Sequence, residues 1–137
     1  MRIPVVGVAI VRDGLHGFEL LAARRTEPPE LAGGWEIPGG KVDPGETHTQ
    51  AAHREIDEEL GVAIEIGQRI DGPLDGAWPL GENYAMQVFV ARIAGGAEPV
   101  AAAQHDELRW LPFSEWNSVA WLEGDLAPVR AVIDALS

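Results

Sequence analysis

The chain reads as a layered α/β fold, and three observations lead there. Apolar runs of strand length lie on both sides of one amphipathic helical segment. A second helical segment closes the chain. With 137 residues and 46% hydrophobic content, one domain spanning 1–137 can bury a single core. Strands flanking a central helix, with a further helix at the end, indicate α/β layering.

Val5 to Val11 is an apolar run suited to a buried strand, and Asp13-Gly14 with Gly17 marks the turn after it. Phe18 to Ala23 forms the next strand. Thr26 to Gly34, with Pro28-Pro29 and Gly33-Gly34, is a loop that feeds a short strand at Trp35-Glu36-Ile37. Val62 to Ile70 and Tyr84 to Ile93 read as strands joined by the Gly/Pro-rich segment Gly72 to Gly81. Leu108 to Leu111 is a last short strand. Pro128, in a first-turn position, opens a C-terminal helix that runs to about Leu136.

The central helix is marked at both ends. Thr47 with Gln50 makes a capping box, and Gly61 stands where a helix stops. Ala52, Ile56 and Leu60 recur every fourth residue and give it an apolar stripe. Glu55, Glu58 and Glu59 fall within roughly 100° of arc at the helical turn angle. Like charges that close destabilise a bare helix, and Asp57 points elsewhere into solvent. A divalent cation removes the repulsion, because hard cations prefer carboxylate and phosphate oxygens. Pro38-Gly39-Gly40 just before the helix frees the backbone to approach a ligand, and Pro44-Gly45 is turn chemistry. Taken alone, an E-x-x-E-E helix is more often a solvated acidic face after a flexible loop.

Gly40 to Val62 as a whole resembles the Nudix box, G-x5-E-x7-R-E-U-x-E-E-x-G-U with U apolar. It matches at Gly40, Glu46, Arg54, Glu55, Ile56, Glu58, Glu59, Gly61 and Val62. The likeness extends outward through Leu20-Leu21-Ala22-Ala23-Arg24-Arg25, Leu31 to Val42 and Leu108-Arg109-Trp110-Leu111. These segments look like small MutT-type members, over about Val5 to Leu111. The resemblance implies the Nudix α/β/α sandwich around a mixed sheet. It also implies Mg²⁺-dependent hydrolysis of a nucleoside triphosphate to the monophosphate and pyrophosphate, with Mn²⁺ as a substitute metal. The favoured substrates are 8-oxo-dGTP or cytidine triphosphates, which would make the role nucleotide-pool cleansing.

Site residues follow from the same resemblance. Glu58 and Glu59 match the metal-binding pair, and Glu55 matches the glutamate that binds or deprotonates the attacking water. A free glutamate, with a pKa of about 4.3, is ionised at neutral pH and can accept a proton. The Gly39 carbonyl completes the metal shell, while Glu46 and Arg54 form an ion pair holding loop and helix in register. Arg25 matches a phosphate-contacting arginine, and its fork suits phosphate. Lys41 is either a phosphate contact or a surface lysine. In His105-Asp106-Glu107, Glu107 stands where relatives supply a carboxylate to metal or water, with Asp106 as the substitute. His105, His48 and His53 are expected at the surface. Asp125 falls where a base-reading side chain sits and could accept from an exocyclic amine; equally, it could cap the last helix. Trp121 and Trp78 are the tryptophans placed to stack on a base, although buried tryptophan is usually core.

Composition narrows the partners. A formal charge of −12, from 22 acids against 10 Lys and Arg, argues against a nucleic-acid polymer. Bound metal and a few arginines can still invert the field within one pocket for a small nucleotide. The acidity otherwise serves solubility, with the chain a monomer or homodimer. No apolar run reaches the roughly 18 residues of a membrane span. Met1-Arg2-Ile3-Pro4 leads into a strand with no signal-peptide cleavage pattern, so a cytoplasmic location is the expectation. Zero cysteines excludes disulfides, thiolate catalysis and the cysteine-dependent isoprenoid diphosphate isomerases that share this fold.

Two alternatives stand beside the triphosphatase. One cleaves the diphosphate of ADP-ribose or a nucleotide sugar; Pro79 lies near a proline position of such enzymes, but their extra N-terminal strands are missing. The other is a nucleotide-binding sensor without catalysis, although such proteins lose box glutamates that this chain keeps.

Overall fold

Residues 1–102 and 104–137 are described by the computed structural model, which among them forms eight strands and two α-helices. The strands are β1 (Ile3–Gly14), β2 (Gly17–Arg25), β3 (Trp35–Glu36), β4 (Gly39–Lys41), β5 (Ile64–Ile70), β6 (Trp78–Leu80), β7 (Tyr84–Ile93) and β8 (His105–Pro112). Helix α1 is His48–Leu60 and α2 is Glu123–Leu136.

The continuous apolar run of β1 has a direct cause, since both faces of that strand are covered. Val5, Ala9 and Val11 face the cluster that holds Val129, Val132 and Ile133 of α2. Val6, Val8 and Ile10 face the cluster that holds Ala51, Ala52, Ile56 and Leu60 of α1. A strand buried on both faces loses the polar alternation of a half-buried one. The result is the expected α/β/α sandwich.

The sheet is mixed. β1 runs parallel to β7 from Ile3↔Tyr84 to Ile10↔Ala91. Its other edge is shared, with Val5–Gly7 antiparallel to β4 and Val11–Gly14 antiparallel to β2. β2 pairs with β3 and β8, while β7 pairs with β5 and β6. This arrangement hangs the chain between β3 and α1 directly beneath the glutamates.

The capping box at Thr47 and Gln50 is formed as expected, and Gly61 ends α1 with φ 68°, a left-handed conformation suited to glycine. Three expectations need correction. The Gly39–Gly40 stretch is not only loop, because Gly39 to Lys41 pairs with β1. The Gly72–Gly81 connection contains β6, which pairs with β7. Helix α2 begins at Glu123, so Pro128 lies inside it. Gly124 lies in the first turn of α2, where a Cβ would meet the end of the Leu80 side chain.

Candidate active site

Helix α1 delivers its acidic edge to the Gly39–Lys41 strand. A Cβ on Gly40 would collide with the Glu55 carboxylate, and one on Gly39 would collide with the Val6 carbonyl. Both glycines are therefore close-approach positions. They bring the backbone against the helix where a side chain would keep it away.

Arg54 organises the edge. Its Nε and Nη2 donate to Glu46 Oε2 (2.8 Å) and Oε1 (2.9 Å), and Nη2 also donates to the Lys41 carbonyl (3.0 Å). Nη1 donates to Glu55 Oε1 at 2.9 Å, and the Glu58 carboxylate lies 3.4 Å away. The Asp43 backbone N–H donates to Glu46 Oε1 at 2.9 Å. Hydrogen bonding from Arg54, then from the Asp43 backbone, holds the Glu46 carboxyl down at about 2. Hydrogen bonds to Glu46, then to Glu55, push the Arg54 guanidinium further up. The expected tie between loop and helix is thus built in detail.

Glu59 has the opposite environment. Its side chain is 14% exposed, and its Oε2 is buried without a hydrogen-bond partner. Burial, then the charges of Glu55 and Glu36, push its carboxyl up to about 8. Crowded carboxylates with an orphaned oxygen are the environment that a bound cation relieves. Gly39 lines the same cavity, and these carboxylate oxygens fit a hard divalent ion. Among the described residues, no three acidic or imidazole side chains already form a closed cage around one point. Glu58 is turned toward Arg54 and 56% exposed.

A cavity of about 1130 Å³ opens beside these groups. Glu55, Glu59, Gly39, Lys41 and Arg25 contribute to its polar wall. Trp78, Leu80, Tyr84 and Met86, from β6 and β7, supply apolar wall, and Lys41 Nζ stands 5.8 Å from the Tyr84 ring centroid. Asp125 also lines it. The volume suits a small organic ligand with a charged end and a flat apolar end.

Arg25 points into this space from the end of β2. Its Nε donates to the Glu27 carbonyl (2.8 Å), Nη1 to Glu36 Oε2 (3.0 Å) and Nη2 to Gln104 Oε1 (2.7 Å). Arg24 lies outside the cavity lining, where its Nε and Nη2 donate to the two carboxylate oxygens of Asp106 at 2.8 and 3.0 Å. That pairing holds the Asp106 carboxyl below its ordinary value.

Several sequence expectations change here. Glu107 does not line the cavity; Arg109 donates to it at 2.9 Å, and Arg24 stands 3.3 Å away. Its position in the β2–β8 ladder, opposite Arg24, directs it to that arginine. Asp125 does not cap α2. Leu122 is the N-cap, while Asp125 Oδ2 accepts from the Ile37 backbone N–H at 2.9 Å and so ties helix to sheet. Burial, then the Glu36 charge, raises the Asp125 carboxyl to about 8, with the Ile37 N–H and Arg25 opposing. Trp121 is buried in the core, bridged to Trp35, and its Nε1 donates to the Trp116 carbonyl at 2.8 Å. Trp78 is the tryptophan that reaches the cavity. His48 is half-buried, which lowers its pKa, and His53 is exposed.

Two residues escaped the motif reading. His105 is buried, with a side chain only 1% exposed, and its Nε2 lies 2.8 Å from Glu36 Oε2. The signal for Glu36 was alternation, since Trp35 and Ile37 enter one core cluster and leave Glu36 on the face toward α1. His105 begins a strand that looked shorter in sequence, and nothing local marks it as buried.

The matching family model is the NUDIX domain, over residues 1–132. The chain belongs to the Nudix family and is a hydrolase acting on phosphoric anhydrides. As a family, Nudix proteins use a divalent metal such as Mg²⁺ and act on small nucleotide substrates. A Mycobacterium tuberculosis protein provisionally named 8-oxo-dGTP diphosphatase 2 is 39% identical over 124 residues, covering 88% of this chain and 81% of that protein. The CTP pyrophosphohydrolase of Escherichia coli is 43% identical over 68 residues, covering 50% and 47%. Among solved structures, the ORF135 protein of E. coli superimposes with TM-score 0.76 at 27% identity, covering 98% of this chain and 91% of that one. No helix among the described residues is long and apolar enough to cross a membrane.

Proposed function

We propose that this protein hydrolyses a nucleoside triphosphate to the nucleoside monophosphate and pyrophosphate, with Mg²⁺ bound and Mn²⁺ as a working substitute. The observation that carries this reading is the cavity, where Glu55 and Glu59 of the Nudix box, Arg25 and Lys41 share one space with an apolar wall and Asp125. Relatives named for 8-oxo-dGTP and CTP hydrolysis support those two nucleotides as the favoured substrates.

Glu55, Glu58, Glu59 and the Gly39 carbonyl would hold the cation. When bound, it supplies charge neutralisation to phosphate oxygens and a more acidic water. Arg25 and Lys41 bind the phosphate chain, and Glu55 takes the proton from the attacking water. Water oxygen joins the β-phosphorus as the bond from that phosphorus to the α–β bridging oxygen breaks. The bridging oxygen leaves with the monophosphate. Arg54 and Glu46 keep Glu55 and the loop in register throughout. Trp78 offers a stacking face to the base, and Asp125 offers it a hydrogen-bonding edge.

The test is product identification after incubation with Mg²⁺ and dCTP, 5-methyl-dCTP, 8-oxo-dGTP, dGTP or ADP-ribose. Monophosphate and pyrophosphate from a triphosphate support the proposal and name the base. Turnover of ADP-ribose alone replaces it with a diphosphatase reading that keeps the same glutamates. No turnover of any of them favours a nucleotide-binding sensor.

A further inference from the structure

His105 stands between two carboxylates of the site, and only one of them is satisfied. Its Nε2 lies 2.8 Å from Glu36 Oε2, an oxygen that also accepts from Arg25 Nη1 at 3.0 Å. The opposite ring atom, Nδ1, is buried and has no partner. It faces Glu59 Oε2 across 3.9 Å, and that oxygen is buried and unpartnered as well. Two orphaned polar atoms facing each other in a dry setting are costly unless they are brought into contact. The imidazole itself is fixed. His105 pairs with Arg25 in the β2–β8 ladder, and the Gln104 carbonyl next to it accepts from the Thr26 N–H at 2.8 Å and the Thr26 Oγ1 at 3.1 Å.

We infer that His105 is a positioning residue for Glu59: anchored by Glu36, it presents Nδ1 to Glu59 Oε2 and fixes the orientation in which that carboxylate binds the metal. Nε2 is engaged by Glu36, so Nδ1 is the ring atom left to meet Glu59 Oε2. The chain Arg25–Glu36–His105–Glu59 then joins the phosphate arginine to the metal carboxylate through side chains alone. Residues that orient metal ligands in this way are typically worth about 10–100-fold in metal affinity. The inference rests on the reading of Glu59 as a metal ligand.

The experiment measures Mn²⁺ affinity by the loss of the free-ion EPR signal, without substrate, in the parent protein and four variants. His105→Ala is expected to weaken binding roughly 10–100-fold. His105→Asn, whose amide lies close to the Nδ1 position, is expected to recover most of that loss. His105→Gln, whose amide reaches instead toward the Nε2 position and Glu36, is expected not to. Glu59→Gln serves to separate the two readings. If it binds Mn²⁺ as tightly as the parent, or the parent binds none, the metal reading fails and takes this inference with it. If Glu59→Gln is weak while His105→Ala stays tight, only the positioning role fails. Should His105→Ala not fold, the Asn and Gln variants carry the comparison, and equal affinities for them overturn the inference. Nitrogen modulation from an imidazole in pulsed EPR of the bound Mn²⁺ would also overturn it, by making His105 a ligand.

Discussion

Arg54 grips Glu46 at two points, Nε to Oε2 at 2.8 Å and Nη2 to Oε1 at 2.9 Å, and so locks the loop after β4 to helix α1. Paired forks of this kind fix geometry as well as charge. The pair leaves Arg54 Nη1 free to hold Glu55 at 2.9 Å, so a distortion in the loop is passed to Glu55.

Glu46→Gln is the direct probe of that lock. The Glu46 carboxyl lies at about 2 in the folded protein against an ordinary 4.5, so its ionised form favours folding. That contribution is complete above about 4.5 and is lost as pH falls toward about 2. Urea titrations across this window should show the parent losing stability on acidification more steeply than Glu46→Gln. At neutral pH the variant should also lose roughly 10–100-fold in kcat/KM, because Glu55 is no longer held through Arg54. Equal acid sensitivity of the two proteins would refute the lock.

Removing the proposed metal ligands should separate stability from activity. The Glu59 carboxyl is raised to about 8, so its charged form is unwelcome in the metal-free fold. Glu59→Gln should therefore melt no lower than the parent in EDTA at neutral pH. The parent should gain stability with Mg²⁺, by about 2.7 kcal/mol at a hundred times the dissociation constant, and Glu59→Gln should not. Glu58→Gln should fold normally, since Glu58 is more than half exposed, while losing roughly 100-fold or more in kcat. Calorimetry with and without Mg²⁺ reads the first effect and initial rates read the second. An unchanged Mg²⁺ response in Glu59→Gln removes that residue from the metal site.

Adjacent glycines should fail for different reasons. A Cβ at Gly39 meets backbone, the Val6 carbonyl, which cannot move without disturbing β1. Gly39→Ala should cost about 1–3 kcal/mol of stability. At Gly40 the obstacle is the Glu55 carboxylate, the far end of a flexible side chain. Gly40→Ala should keep most of its stability and lose activity by displacing Glu55. Thermal melts alongside rates distinguish the two, and a destabilised but fully active Gly40→Ala would contradict the placement of Glu55.

Why part of this site was legible in sequence, and part not, comes down to range. The capping box, Gly61 and the glutamates of α1 are fixed by spacing within one helix, where the turn angle alone sets which side chains share a face. Glu46 and Arg54 are legible through the resemblance to the Nudix box, which places both within one short segment. His105 and Glu36 are 69 residues apart, and only the β2–β8 and β2–β3 pairings bring them together. Asp125 was misread for a similar reason. Pro128 in a first-turn position suggests a later helix start, whereas α2 begins at Glu123, with Gly124 against the Leu80 side chain. Trp121 looks like a loop aromatic in sequence because its bridge partner, Trp35, is distant along the chain.

Asp125 gives the clearest pH signature. Its side chain is almost wholly buried, accepts the Ile37 N–H at 2.9 Å, and has its carboxyl raised to about 8 from an ordinary 3.8. The folded state therefore keeps a proton that the unfolded state releases. Its contribution to stability is complete below about 3.8 and is lost as pH rises through about 8, with a slope of at most about 1.4 kcal/mol per pH unit. Asparagine preserves an acceptor for Ile37 and carries no proton to lose. Asp125→Asn should therefore show a flatter decline in stability between neutral and mildly alkaline pH, and should match or exceed the parent at the alkaline end. Because the residue lines the cavity, the same substitution should reorder the preference among dCTP, 5-methyl-dCTP and 8-oxo-dGTP while leaving the metal response intact. Urea unfolding at several pH values, paired with kcat/KM for the three nucleotides, reads both effects. A parallel pH decline in the two proteins would show that Asp125 is ionised in the fold, and an unchanged ranking would remove it from base recognition.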